Sequence, residues 1–190
     1  MMQVLSRRIF LSATGAALLL AGCDNAITGN GVGTNGAARI DARVQATRDY
    51  LFDRYPGTRD LEAKSKGVLY IPLVTEAGFG VGGSYGQGAL VINGATVDYY
   101  SATRATFGLQ IGAQQYAHAL FFMTDEALEE FRRSSGWAAG ANVTYATPEQ
   151  GGSLGTSTTE IQPVIGMIFG QQGLIAGATL AGVKYSRIIP

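Results

Sequence analysis

The sequence predicts an α+β domain whose mostly antiparallel sheet curves into a barrel or sandwich, with an amphipathic helix on its N-terminal side and a short helix later. Three observations carry this. A helical apolar period is confined to one segment before Gly57; beyond Gly67 the pattern turns extended and contains an Asn93-Gly94 hairpin signal; and only one further helix signal interrupts the strands. Strands that do not alternate with helices argue against a parallel, doubly wound sheet. The 190 residues are 46% hydrophobic and 15% charged, which suits one ordered domain with a substantial core.

Residues 1–22 read as an export signal outside the fold. Arg7 and Arg8 precede a short apolar run from Ile9 to Ala21, too short to span a bilayer as a helix. "SRRIFL" resembles a twin-arginine signal and "LAGC", ending at Cys23, resembles the bacterial lipobox. Cleavage before Cys23 would leave that residue acylated at the mature N-terminus, in a cell envelope, facing the periplasm. Asp24 favours retention at the inner membrane, with the outer membrane as the alternative. Cys23 is the one cysteine, so no disulfide remains to staple the fold. Residues 23–38 form the lipidated cysteine and a Gly/Asn/Thr-rich tether, and 39–190 the domain.

In the domain's first segment Ile40, Val44, Leu51 and Tyr55 fall near one helical stripe, and Pro56-Gly57 ends it. Arg39, Arg43, Arg48, Arg54, Arg59, Lys64 and Lys66 stand against Asp41, Asp49, Asp53, Asp60 and Glu62, a local excess of positive charge. A helix packed on a sheet with a solvated outer face explains this, and so does a membrane-surface helix. "VLYIPLV" comes next as a buried strand in which Pro72 demands an edge or a bend. "ALVINGATVDYYSA" is a hairpin with a type I′ turn. Strands are expected at "TFGLQIGAQ" and "YAHALFFM", then a helix with Thr124 as N-cap, acids in its first turn, Leu128 and Phe131 inward, and Arg132 and Arg133 late. The remainder returns to strands around a loop near Gly151 to Thr159. "GFGVGG", "GLQIGA" and "GLIAGA" form a weak, irregular repeat.

"GFGVGGSYGQG" contains two overlapping motifs. Gly78, Gly80 and Gly83 fit a dinucleotide fingerprint; Gly82, Ser84 and Gly86 fit a nucleophile elbow, with Asp98 and His118 coming after it in hydrolase order. Both motifs work by launching a helix, whereas this chain continues as an extended run into a tight turn. His118 shares a strand face with Tyr116, Leu120 and Phe122, the setting of a packed histidine rather than a base. A serine hydrolase using Ser84 is therefore the remote alternative, and no catalytic residue is assigned. One histidine and carboxylates scattered among bases make no metal-ligand set, and nothing calls for a cofactor. Formal net charge is zero with no dense basic block, which argues against nucleic acid. Without Arg7 and Arg8 the 14 basic residues fall to 12 against 14 acids, a mild negative balance.

As a strand, the same stretch puts Gly78, Gly80, Gly82, Ser84, Gly86 and Gly88 on one face and Phe79, Val81, Gly83, Tyr85, Gln87 and Ala89 on the other. A face nearly bare of side chains weakens a strand unless something approaches it closely. The neighbour is expected to be another strand layer of a curved barrel, the N-terminal helix, or an acyl chain.

"AKSKGVLYIPLVTEAGFGVGGSYGQGALV", "YYSATRATFGLQIGAQ", "ALEEF" and "GLIAGATLAGVKYS" together resemble the SYLF domain over about Asp41 to Ile188. That family is a lipid-binding module of bacterial lipoproteins and eukaryotic membrane-trafficking proteins. The resemblance implies a non-enzymatic role, with phosphoinositide binding in eukaryotic members through an amphipathic N-terminal helix and basic residues, and actin binding in some. Mapped here, it implies lipid contact through Arg43, Arg48, Arg54, Lys64 and Lys66. In a bacterial envelope only anionic or acyl lipid contact carries over, with an envelope scaffold or protein-interaction role as the alternative.

Overall fold

The computed structural model describes residues 35–140, 143–148, 162–173 and 180–190, without the side chains of 108–111. The export signal, Cys23, most of the tether, the loop of 151–159 and most of the third glycine repeat lie outside these residues. Among the described residues, three helices and six strands succeed one another as α1 (Gly36–Arg54), α2 (Gly57–Lys64), β1 (Gly67–Ile92), β2 (Ala95–Phe122), α3 (Asp125–Arg133), β3 (Trp137–Ala138), β4 (Val143–Ala146), β5 (Val164–Gly173) and β6 (Lys184–Ile188). The α+β class with a curved, mostly antiparallel sheet is as the sequence predicts.

β2 is the spine. It pairs antiparallel with β1 along nearly its whole length, with β6 beside its first half and with β5 beside its second half; β3 extends β6, and β4 joins β5 in parallel. The hairpin turn is Asn93-Gly94, with φ of 51° and 79°, matching the left-handed pair that a type I′ turn requires. Sequence segments that read as separate strands are continuous here: β1 has 26 residues and β2 has 28.

A ribbon that long must bend, and it does so at Gly80, where the register slips between Phe79 and Val81. Gly80 takes φ +73° with open space around it, so its role is conformational freedom rather than close approach. The bend lays the second half of β1 against its own first half. A methyl on Gly82 would meet the Ala77 carbonyl and the Gly78 Cα; on Gly86, the Leu73 carbonyl, Ile71 and Val74; on Gly88, the Tyr70 carbonyl and the Ile71 Cα. The bare glycine face thus receives a strand layer, and that layer belongs to the same strand. Pro72 sits where the ladder slips between Ile71 and Val74, on a strand that pairs only with β2 among the described residues.

Both faces of the sheet are covered, which explains the unbroken apolar runs "VLYI" and "AHALFF". Inside the curl, Leu69, Ile71, Val74, Leu90, Tyr116, Leu120 and Phe122 pack with Leu128 and Phe131 of α3, Trp137 and Tyr185. Outside it, Val68, Tyr70, Val91, Phe121, Met167 and Phe169 pack under Ile40, Val44 and Leu51 of α1 and Leu61 of α2. α3 obeys its sequence signals: Thr124 Oγ1 accepts from the Ala127 amide, Asp125 and Glu126 occupy the first turn, and Arg132 and Arg133 the last.

The N-terminal region differs from expectation in two ways. α1 begins at Gly36, so the last tether residues 36–38 are helical, and a second helix, α2, comes after Pro56-Gly57. Proline stops a helix behind it but opens one ahead, because its missing N–H falls among those a helix start leaves unpaired. Thr58 is buried in the junction, its hydroxyl donating to the Tyr55 carbonyl at 2.7 Å.

Candidate functional site

α1 is fixed on the sheet by two acids turned inward. Asp41 accepts from Thr96 Oγ1 at 3.0 Å and Tyr99 Oη at 2.9 Å. Glu62 of α2 accepts from Arg48 Nε at 2.9 and 3.0 Å and from Tyr70 Oη at 2.5 Å, tying both helices to β1. Burial, and then the Glu62 charge, push the Tyr70 phenol well above its usual range, so it stays a donor. The Glu62 hydrogen bond raises the Arg48 guanidinium in turn.

These contacts sort the five basic residues singled out by sequence. Arg48 is an internal strut, and its guanidinium, like that of Arg59, lies 5.0 Å from the Phe52 ring centroid. Lys66 pairs with Asp125 of α3 at 3.1 Å, while Lys64 is exposed at the end of α2. Arg43 and Arg54 are exposed on α1 and have no ion-pair partner among the described residues. At about 100° per residue these two lie on one stripe, which also takes in Arg39 and Tyr50 within about 60°. Asp49 and Asp53 are exposed next to this stripe, about 40–80° beyond Arg39, where they contact Gln45 and Arg59. Of the acids that dilute the segment's positive charge, Asp41 and Glu62 are spent internally.

Tyr50 stacks on Phe169 of β5, with ring centroids 6.3 Å apart. It stands over an open groove of about 350 Å³ whose walls include Thr47, Pro72, Leu73, Gln115 and Gln172. On the opposite flank of α1, Arg48, Phe52, Arg59 and Glu62 border a second depression of about 370 Å³ beside the hairpin turn. Of the stripe residues, Tyr50 lines the first groove beside Pro72, Leu73 and Phe169, setting an aromatic and apolar edge next to the exposed arginines, the pairing an interfacial helix uses. Arg39 and Tyr50 are site residues that the sequence pattern did not single out; their four- and seven-residue spacing from Arg43 was the available signal.

The hydrolase constellation is not assembled. Ser84 is buried within β1, with no helix after it. His118 is fully buried, its Nε2 hydrogen-bonded to Tyr185 Oη at 2.9 Å, and burial lowers its pKa to about 3. Asp98 pairs instead with Arg132 and Arg187 at the molecular edge. Among the described residues no group of three or more His, Cys, Asp or Glu could hold a metal ion, and no helix is long and apolar enough to cross a membrane.

The protein-family model described as "Ysc84: Las17-binding protein actin regulator" matches residues 103–187, from β2 through β6. Over these residues the chain matches the SYLF domain family. The matched span holds β2 from Thr103 onward, α3 and the inner-core residues Tyr116, Leu120, Phe122, Phe131, Trp137 and Tyr185, while β1 and α1, with the arginine stripe, precede it. A search of curated proteins returned no match.

Proposed function

We propose that this SYLF domain is a non-enzymatic lipid-binding module, held at a cell-envelope membrane by acylation of Cys23. The reading is carried by the exposed stripe of Arg39, Arg43, Tyr50 and Arg54 on α1, whose cations have no ion-pair partner among the described residues, while Asp41 and Glu62 are engaged internally and Asp49 and Asp53 stay exposed beside the stripe. Arginines at a bilayer surface meet anionic headgroups, and a tyrosine beside an apolar groove suits the headgroup boundary. Each contact is weak and screened by salt. An acyl anchor about a dozen residues before α1 would hold the domain on the order of 20 Å from its attachment point, turning each rebinding into an intramolecular event.

Flotation of the full chain carrying Cys23→Ser tests this, using vesicles of phosphatidylcholine alone and of phosphatidylethanolamine with phosphatidylglycerol at three to one. Binding to the anionic vesicles is expected to fall roughly tenfold when Arg43 and Arg54 become alanine, and to weaken with salt. Equal binding by that variant sinks the assignment of the stripe, and no wild-type binding to either vesicle sinks the module itself.

The family description names binding to a protein, which favours a protein-interaction module of the envelope as the second reading. One dominant partner recovered from detergent-solubilised envelope, together with absent vesicle binding, would select it.

A further inference from the structure

At the far end of the folded β1–β2 ribbon, Phe79 is 80% exposed, Phe107 79% and Val81 65%. Val81 and Phe107 are directly paired across the ladder and share a face, while Phe79 stands on the other side of the Gly80 bulge. We propose that Phe79, Val81 and Phe107 form a wedge that enters the outer hydrocarbon margin of a lipid bilayer. The proposal rests on the membrane-binding reading above and adds a second contact site, remote from α1.

The charge layout points to lipid. From Ala77 to Val97, and from Ala105 to Thr124, the chain contains no Asp, Glu, Lys or Arg. The one histidine in those spans is His118, which is buried and neutral. The charges nearest the bend, Glu76 and Arg104, pair with each other at 2.6 Å, their side chains 2% and 9% exposed, and Gln114 Nε2 donates to the same carboxylate at 2.9 Å. The tip can therefore leave water without stranding an ion, the condition hydrocarbon imposes and a wet protein interface does not.

Size and shape favour the same occupant. Two phenylalanines and a valine at these exposures offer roughly 400 Å² of apolar surface, about half of what one partner contributes to a stable protein interface. Exposures near 80% mean that the rings project with little beside them. A convex tip of that size suits a fluid phase that closes around it. The backbone at the tip is held by the β1–β2 ladder on both sides of the bulge, from Gly78 paired with Gly112 to Gly82 paired with Thr106, so shallow entry leaves most of the nearby amides bonded. Close approach of Gly82 to Ala77 and Gly78 stiffens the bend, so little backbone freedom is lost on insertion.

The test uses the full chain with Cys23→Ser and the two vesicle compositions above. Phe79→Ser with Phe107→Ser is expected to lower partitioning onto both vesicles by roughly a factor of ten or more, at low and high salt alike, with an unchanged urea midpoint because both rings are exposed. Since Cys23 is the only native cysteine, Val81→Cys in that background accepts a single environment-sensitive fluorophore. Its emission should shift to the blue on vesicles and be quenched by nitroxides placed high on the acyl chain, while a probe at Val97→Cys near the hairpin turn stays in water. Undiminished partitioning of the serine variant, or an unshifted probe at position 81, overturns the wedge and leaves the arginine stripe standing. Absence of wild-type binding removes both. Oligomers that form without vesicles and are dispersed by Phe107→Ser assign the patch to self-association, and also overturn it.

Discussion

Gly88→Ala places one methyl group in the seam where β1 meets itself. Built on the present backbone, that methyl would lie 2.8 Å from the Tyr70 carbonyl carbon and 2.9 Å from the Ile71 Cα, and closer still to the Tyr70 carbonyl oxygen. All three obstacles are backbone atoms of a buried strand, so no side chain can rotate away, and the two halves of β1 must separate. Overpacking of this kind costs about 1–3 kcal/mol, and an immovable obstacle argues for the upper end. Restriction of the unfolded chain by the new side chain returns about 0.4–1 kcal/mol, leaving a net loss of roughly 2 kcal/mol. The control is Gly80→Ala, where φ is +73° but nothing lies within 4 Å. Left-handed strain of about 1–2 kcal/mol, offset by the same unfolded-state gain of about 0.4–1 kcal/mol, leaves about 0–1.6 kcal/mol there. Urea denaturation of the two variants monitored by circular dichroism decides the order, with Gly88→Ala also expected to melt about 4–8 °C below the parent. A Gly88→Ala protein as stable as the parent, or more stable than Gly80→Ala, would show that the glycines do not form a seam.

Glu76→Ala leaves Arg104 and Gln114 without their shared acceptor inside the curl, and breaking a buried pair from one side should cost about 3–5 kcal/mol by the same denaturation measurement; a loss under about 1 kcal/mol would mean that water reaches Arg104. His118 titrates near 3 in the folded chain against about 6.5 unfolded, so the unfolded state binds the extra proton between those values and stability falls as pH drops through that window. The slope reaches about 1.4 kcal/mol per pH unit at most, and because His118 is the sole histidine, His118→Phe should remove it between pH 6.5 and 5; urea midpoints with the same pH slope in both proteins would contradict the burial argument.

Local chemistry made several elements legible. Asn93-Gly94 fixed the hairpin because few other residue pairs tolerate two successive left-handed conformations, and Thr124 with its trailing acids and arginines fixed α3. Period-2 alternation placed His118 with Tyr116, Leu120 and Phe122, where the structure has them. Less legible was anything decided by the chain meeting itself at a distance. Glycines at Gly78, Gly80 and Gly108 look like strand breaks, yet the ladder carries on through the bend, so two long strands resemble several short ones. The same local view could not divide the bases into struts and outward cations, because Glu62 selects Arg48 across 14 residues and Asp125 pairs with Lys66 at the surface across 59 residues of sequence. Alternation correctly puts Phe79 and Val81 opposite the glycine face, but only the fold shows that they stay exposed among the described residues.

The two proposed lipid contacts act through different physics, and the fold keeps them apart. On β1, Leu73 borders the groove beneath Tyr50, and Phe79 lies six residues further along, roughly 20 Å at strand rise. That exceeds the distance at which mutational effects remain coupled, so losses at the stripe and at the wedge should combine as independent free energies. Arginine attraction decays within about 8 Å at physiological salt, whereas apolar burial is nearly indifferent to salt. Both can serve one membrane only if the body joining them is stiff, since a loose bend would lose ordering entropy on every encounter. The bare face of Gly82, Gly86 and Gly88 supplies that stiffness by bringing backbone against backbone. A stretch that resembles a nucleotide loop or a nucleophile elbow thus has its physical explanation in rigidity: side chains are absent where the strand must close on itself, and present where it turns outward.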